Sequence, residues 1–181
     1  MTVVGVLSDT HGHLYPRIKE LLAGVDHIVH AGDVGSAQVL AELRALAPVT
    51  AVRGNCDAGV WAQGLPARAE LELEGVRILV GHVAGRLKEE TAGRGRDAGS
   101  SAPDGGYGVV ISGHSHLAAI EERGGVLYLN PGSAGPRRYG RSRTMARLEI
   151  DGLREPEARA PTVAATILSA EAEDRSGATA G

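Results

Sequence analysis

Short apolar runs punctuate the chain, and nearly all of them end in glycine or in a polar residue with useful chemistry. Val3 to Leu7 leads into Ser8-Asp9-Thr10-His11, and His27 to His30 leads into Ala31-Gly32-Asp33. Val49 to Arg53 opens onto Gly54-Asn55-Cys56-Asp57, and Arg77 to Val80 onto Gly81-His82. Gly108 to Ser112 meets Gly113-His114-Ser115-His116, and Val126 to Leu129 meets Asn130-Pro131-Gly132-Ser133. Apolar runs of this length, closed by such breakers, predict buried strands. Two helices fit between the first three strands. Leu14, Ile18, Leu21 and Leu22 share one helical face ahead of a stop at Gly24. Ser36 caps a second helix that buries Val39, Leu40, Leu43 and Leu46 before Pro48.

The order β-α-β-α-β implies parallel strands with right-handed crossovers. Hairpins follow: Leu71 to Leu73 turns at Glu74-Gly75 into the Arg77 strand, and Ala118 to Glu122 turns at Arg123-Gly124-Gly125 into the Val126 strand. Further strands are expected over Thr144 to Ile150 and Thr162 to Leu168. Two stacked mixed sheets with outer helices satisfy this order, and so do helices on a single sheet. Gly93 to Gly106 reads as a loop rich in Gly, Ser, Asp and Arg. One domain over residues 1–170 with a tail over 171–181 is the expected organisation.

Composition narrows the class. With 181 residues the chain buries roughly 70% of its unfolded surface and needs no disulfide or metal merely to fold. Aromatics make up 3%, with no Phe, against seven His and one Cys. A single cysteine excludes an internal disulfide. The amino terminus lacks a basic leader region, and no apolar stretch approaches the roughly 20 residues of a membrane helix. A cytoplasmic protein with no membrane partner is expected. The net charge of -3 argues against a stable nucleic-acid complex.

Strands of an open parallel sheet present their carboxyl ends to one crevice, where ligands bind. Asp9, His11, Asp33, Asn55, His82, His114 and His116 would converge there. In extended backbone, residues two apart point to the same side, so Asp9 with His11, and His114 with His116, are each placed to chelate one centre. Four imidazoles, two carboxylates and an amide exceed the needs of one four-coordinate zinc and suit two divalent ions sharing a carboxylate. The mixed nitrogen and oxygen donors favour Mn, Fe, Zn, Co or Ni over Ca or Mg. Singly, an Asp at a strand end is usually a turn residue and a lone His a satisfied interior group; the joint occurrence at successive strand ends carries the reading. His13, His27 and His30 read as structural, with His30 placed to support the Asp33 turn.

The motifs SDTHGH, AGDV, RGNCD, GH at 81–82, GHSH and NPGS occur in an order that resembles the calcineurin-like metallophosphoesterases, over residues 1 to about 150, and among them the small YfcE-like phosphodiesterases. The resemblance implies a four-layer α-β-β-α sandwich of two mixed sheets. It implies Asp9, His11, Asp33 and His116 on one metal and Asp33, Asn55, His82 and His114 on the other, with Mn as the favoured ion and Mg also compatible. Asn55 and His114 would also act in catalysis. The implied reaction is hydrolysis of phosphodiester bonds, and less efficiently phosphomonoesters, by in-line attack of a metal-bridging hydroxide on a small phosphate-ester substrate. Many larger relatives carry GNH where this chain has Gly54-Asn55-Cys56, and Cys56 is a weaker donor to a leaving group; it also reads as a small buried hydrophobe.

Arg137 and Arg138 are expected to reach substrate phosphate, whereas Arg143 and Arg147 read as a solvated strand face and Arg53 fits either role. The retromer subunit of this fold, a protein-interaction scaffold, is the alternative. It has lost metal ligands, and all seven candidates persist here. Relatives of this type often form dimers or tetramers, so a homo-oligomer is compatible with the resemblance.

Overall fold

A computed structural model of the chain describes residues 1–91, 106–138, 140–152 and 161–171. In chain order the strands are β1 (Thr2–Leu7), β2 (His27–His30), β3 (Val49–Ala51), β4 (Arg68–Leu73), β5 (Val76–Gly81), β6 (Val109–Ile111), β7 (Ala118–Arg123), β8 (Val126–Pro131), β9 (Thr144–Asp151) and β10 (Thr162–Ser169). Three α-helices are described: α1 (Pro16–Leu21), α2 (Ala37–Arg44) and α3 (Ala84–Thr91).

Local chemistry explains the first two helices. Pro16 opens α1 at a position whose N–H would have no intrahelical partner, and Gly24 beyond it takes φ of 75°. The Ser36 hydroxyl accepts from the Val39 N–H at 3.4 Å at the start of α2. Helix α3 and a 3-10 turn at Val60–Gly64 have no counterpart in the sequence reading. Among the side chains described in α3, Leu87 is the one that reaches the buried core, and the segment is otherwise polar, so its sequence offers too few apolar positions to mark a helix.

One sheet runs in the order β10-β9-β1-β2-β3 and the other in the order β4-β5-β6-β8-β7. Strands β1, β2 and β3 are mutually parallel, as are β5, β6 and β8, while β9, β10, β4 and β7 pair antiparallel at the flanks. Alternation along each strand sets the layers. Val4, Val6 and Val29 meet Ile78, Val80, Val109 and Ile111 between the sheets. On the opposite faces, Leu7 and Ile28 meet Ile18 and Leu43 from α1 and α2, and Leu79 and Val110 meet Leu87 of α3. The molecule is therefore a four-layer α-β-β-α sandwich, which resolves the open choice between two stacked sheets and one.

The expected boundary at residue 170 abuts Glu171, which is tied down: its carboxylate pairs with Arg137, and its N–H donates to the Ser169 hydroxyl at 3.2 Å. The remainder of the expected tail, 172–181, and residues 93–105 of the expected loop lie outside the described residues. Among the described residues no helix is long and apolar enough to cross a membrane.

Ile78 is fully buried at the centre of the intersheet layer. Ile78→Ala is expected to lower the unfolding free energy by about 2–5 kcal/mol through lost burial and the cavity left behind, measured by urea denaturation.

Candidate metal centre

The carboxyl ends of the six parallel strands, three from each sheet, meet at one rim. From there β1 runs into Asp9 and His11, β2 into Asp33, β3 into Asn55, β5 into His82, and β6 into His114 and His116. All seven expected residues thus lie on the rim loops, and contacts tie them into two neighbouring groups.

In the first group the carboxylate of Asp9, which is fully buried, has Oδ1 3.2 Å from His116 Nε2 and 4.0 Å from His11 Nε2. That oxygen has no aligned hydrogen-bond donor, while Oδ2 accepts from the His114 N–H at 3.1 Å. His11 Nε2 and His116 Nε2 face each other at 3.4 Å. In the second group, His82 Nδ1 lies 2.8 Å from the Ala31 carbonyl. A carbonyl only accepts, so Nδ1 carries the proton and Nε2 presents a lone pair. That lone pair meets Asn55 Oδ1 at 3.0 Å and Asp33 Oδ2 at 3.5 Å. With Asn55 oriented in this way three acceptor atoms converge with no donor among them, an arrangement that a proton on the ring or a metal ion satisfies.

Asp33 joins the groups. Its Oδ1 accepts from the Cys56 N–H at 2.8 Å, and its Oδ2 lies 4.0 Å from His11 Nε2 as well as 3.5 Å from His82. Burial opposes ionisation of Asp33, but hydrogen bonds from His82 and Cys56 outweigh it and hold the carboxyl well below the usual carboxylate range. Burial lowers the His11 pKa, with the Asp33 charge opposing. For His82 burial is outweighed by Asp33 and the Ala31 carbonyl, and its pKa rises. Ligand-type atoms of Asp9, His11 and His116 lie within 4.8 Å of one another, as do those of Asp9, Asp33 and His82, and those of His11, Asp33 and Cys56.

The backbone at the rim departs from the extended conformation that the residue spacing suggests. Asp9, His11, Asp33, His114 and His116 all have φ between 47° and 69°, and among described non-glycine residues only Glu74 joins them. Left-handed backbone at these residues costs about 1–2 kcal/mol each and is kept where surrounding contacts enforce it. The turn separates His114 from His116: His116 packs on His11, with ring centroids 5.3 Å apart, and His114 sits edge-on to His82 at 5.1 Å. The expectation that these two histidines chelate one centre is corrected accordingly.

Three supports went unread in the sequence. Asp57 accepts from the N–H groups of Gly35 and Gly54, each at 2.8 Å, fastening the Asp33 turn to the Asn55 turn. Gly54 lies so close beneath Asp33 that a Cβ there would overlap its carboxylate and backbone nitrogen. Asn130 donates to the Gly113 carbonyl at 2.9 Å and to the Ser115 hydroxyl at 3.1 Å, holding the loop that carries His114 and His116. A carboxylate or amide inside a glycine-rich turn was the available signal. Cys56 is exposed rather than a buried hydrophobe, and its thiol pKa is raised, chiefly by Asp33.

A cleft of about 200 Å³ beside His114 and His116 is lined by Arg137, Arg138, Arg141 and Arg143. Arg137 lines this cleft, and its guanidinium is paired there with Glu171. Arg143 stacks its guanidinium 3.7 Å over the Tyr15 ring and is not the solvated group expected. Arg138 is exposed, and its charge acts on His11 and Cys56.

Residues 1–153 match the model of the calcineurin-like phosphoesterase superfamily domain, and the chain belongs to that family. It is 37% identical over 144 residues to a probable metallophosphoesterase of Methanocaldococcus jannaschii, covering 72% of this chain and 67% of that protein. Phosphodiesterase YfcE of Escherichia coli is 30% identical over 176 residues, covering 81% and 86% of the two chains; its solved structure superimposes with a TM-score of 0.59 over 82% of this chain and 88% of its own. Vps29 of Entamoeba histolytica, 18% identical, shares the fold with a TM-score of 0.67 over 93% of this chain and 99% of its own. The protein is thus a member of a metal-dependent hydrolase family with candidate metal-binding residues at the rim.

His30 is buried behind this centre. The Thr10 hydroxyl donates to the Val34 carbonyl at 2.9 Å and so accepts from His30 Nε2 at 2.9 Å, leaving Nδ1 buried and without a partner. Burial lowers the His30 pKa to about 4. As pH falls through the window from the unfolded value near 6.5 toward 4, the unfolded chain takes up a proton that the folded chain refuses, so stability declines. The contribution amounts to about 2 kcal/mol between pH 7 and 5. Unfolding free energies of metal-free protein are expected to lose that much less over this range in His30→Gln than in wild type.

Proposed function

We propose that the protein is a dinuclear metal-dependent phosphodiesterase, with weaker action on phosphomonoesters. The observation that carries the reading is the convergence of unshared lone pairs from both groups on Asp33 Oδ2, which lies within 4.0 Å of imidazole nitrogens on either side. Asp9, His11, Asp33 and His116 would hold one ion, and Asp33, Asn55, His82 and His114 the other. The histidine-rich donor set fits Mn, Fe, Zn, Co or Ni better than Mg, and Mn is our choice. When bound, the ions supply Lewis-acid charge for an in-line displacement at phosphorus.

The chain's own groups then position the ester. Asn55 Nδ2, 3.3 Å from Cys56 Sγ, has a second N–H to donate to a phosphoryl oxygen. His114 is exposed at the mouth and edge-on to His82, within reach of a substrate that His82, at the back, would not touch. Arg138 adds a cation at the other side of the opening. Cys56 stands where an imidazole would serve a leaving group better, which favours diesters with good leaving groups. A protein-interaction role rests on the Vps29 likeness, which concerns the fold alone, whereas the convergent acceptors support the enzyme. Confinement to the cytoplasm belongs to the same proposal.

Protein purified without chelator is expected to carry two equivalents of metal per chain by plasma mass spectrometry. With added Mn it is expected to hydrolyse bis(4-nitrophenyl) phosphate, and Asp33→Asn or His114→Ala should slow that reaction about 100-fold or more. Equal rates in wild type and variants would overturn the reading.

A further inference from the structure

On the side of the centre away from Arg138 lies a second, larger cleft of about 550 Å³, with Asn55 and His82 at its inner end. Its walls carry three arginines from three different elements: Arg53 after β3, Arg68 at the start of β4, and Arg86 in α3. Arg68 lies 3.9 Å from Glu70, whereas Arg53 and Arg86 have no ion pair among the described residues. The carboxylate of Asp57, which also borders the cleft, is oriented by two backbone N–H groups rather than by a guanidinium, and it is the one carboxylate in the lining against three arginines. Apart from His82 the lining holds no ring, so it offers charge rather than a stacking platform for a base. With Asp57 counted the lining is still net positive, so a chain of net charge -3 has beside one end of its candidate centre a local field suited to an anion.

The contrast with the first cleft is informative. There Arg137 and Arg143 are occupied by Glu171 and Tyr15. Here Arg53 and Arg86 are exposed and uncommitted among the described residues.

We propose that this cleft is an anion subsite that binds a second phosphate of the substrate, so that the preferred substrate is a phosphoester carrying another phosphate on one of its ester arms. The inference rests on the phosphodiesterase reading for its location but not for its test. Arginine is suited to the role because its planar fork makes paired hydrogen bonds to phosphate oxygens. The second phosphate anchors the arm while the scissile phosphate sits against Asn55, and the two contacts together fix the orientation of the ester.

The test uses a matched pair with one leaving group: thymidine 5′-(4-nitrophenyl phosphate) with and without a 3′-phosphate. Wild-type enzyme is expected to favour the 3′-phosphorylated ester about tenfold in kcat/KM, and the double variant Arg53→Gln/Arg86→Gln should bring that ratio close to one. The ratio is internal to each protein, and the two single variants give the same reading should the double variant be insoluble. No preference in wild type, or an undiminished one in the variants, overturns the proposal. Calorimetry on metal-free protein in chelator supplies a second reading, with adenosine 3′,5′-bisphosphate and adenosine 5′-monophosphate as probes. The bisphosphate is expected to bind about tenfold tighter to wild type and no tighter to the variants; equal binding by wild type overturns the subsite. If neither ester is hydrolysed, the phosphodiesterase reading fails while the calorimetry still decides this one.

Discussion

The Asp33 carboxylate is the contact on which the two halves of the molecule depend. The intersheet core brings β2 and β5 together through apolar side chains alone, which fix distance but not chemistry. At the rim the joining becomes specific: Asp33 follows β2, yet one oxygen is held by the Cys56 N–H and the other points toward imidazoles borne by different sheets. Its ionised form is favoured despite burial because donors surround it. Asp57 reinforces the arrangement from below by tying Gly35 to Gly54. Together with the Cys56 N–H on Asp33 and the pairing of β2 with β3, that fastening holds the Asn55 turn against the Asp33 turn.

Charge is distributed with the same economy. The acidic chain places its two deepest carboxylates among histidines and sets arginines on both flanks of the opening. The flanks differ in kind. Toward His116 the guanidinium groups are partly consumed by Glu171 and Tyr15, which bind the carboxyl-terminal strand to the body of the protein. Toward His82, Arg53 and Arg86 face a wider cleft and have no ion pair among the described residues. One residue type therefore serves both as structure, in Arg137 and Arg143, and as a candidate recognition group, in Arg138 on the same flank and Arg53 and Arg86 on the other.

Much of the fold could be read from the residues because its strands are short, apolar and abruptly ended. Every expected strand is present, and the hairpin turns at Glu74-Gly75 and Gly124-Gly125 fall where the glycines put them. What escaped was carried by few apolar residues. Among the described side chains of helix α3 Leu87 is the one in the buried core, and a single apolar anchor in a polar segment does not announce a helix. The gathering of the seven donor residues at one rim was legible from their positions at strand ends. Their pairing was not, because spacing arguments assume regular backbone and the rim is built from left-handed residues. The roles of Asp57 and Asn130 were hidden for a related reason: their partners are main-chain groups, and a one-letter sequence does not display where an amide points.

Those left-handed residues also bear on how the rim withstands substitution. Two of them are held by main-chain hydrogen bonds, the Asp9 N–H to the Gly32 carbonyl and the His11 N–H to the Asp33 carbonyl, both at 3.0 Å. Such bonds do not depend on which side chain the residue carries, so these turns keep their course while the donor groups they present are changed. What a replacement must still meet is the cost of left-handed backbone.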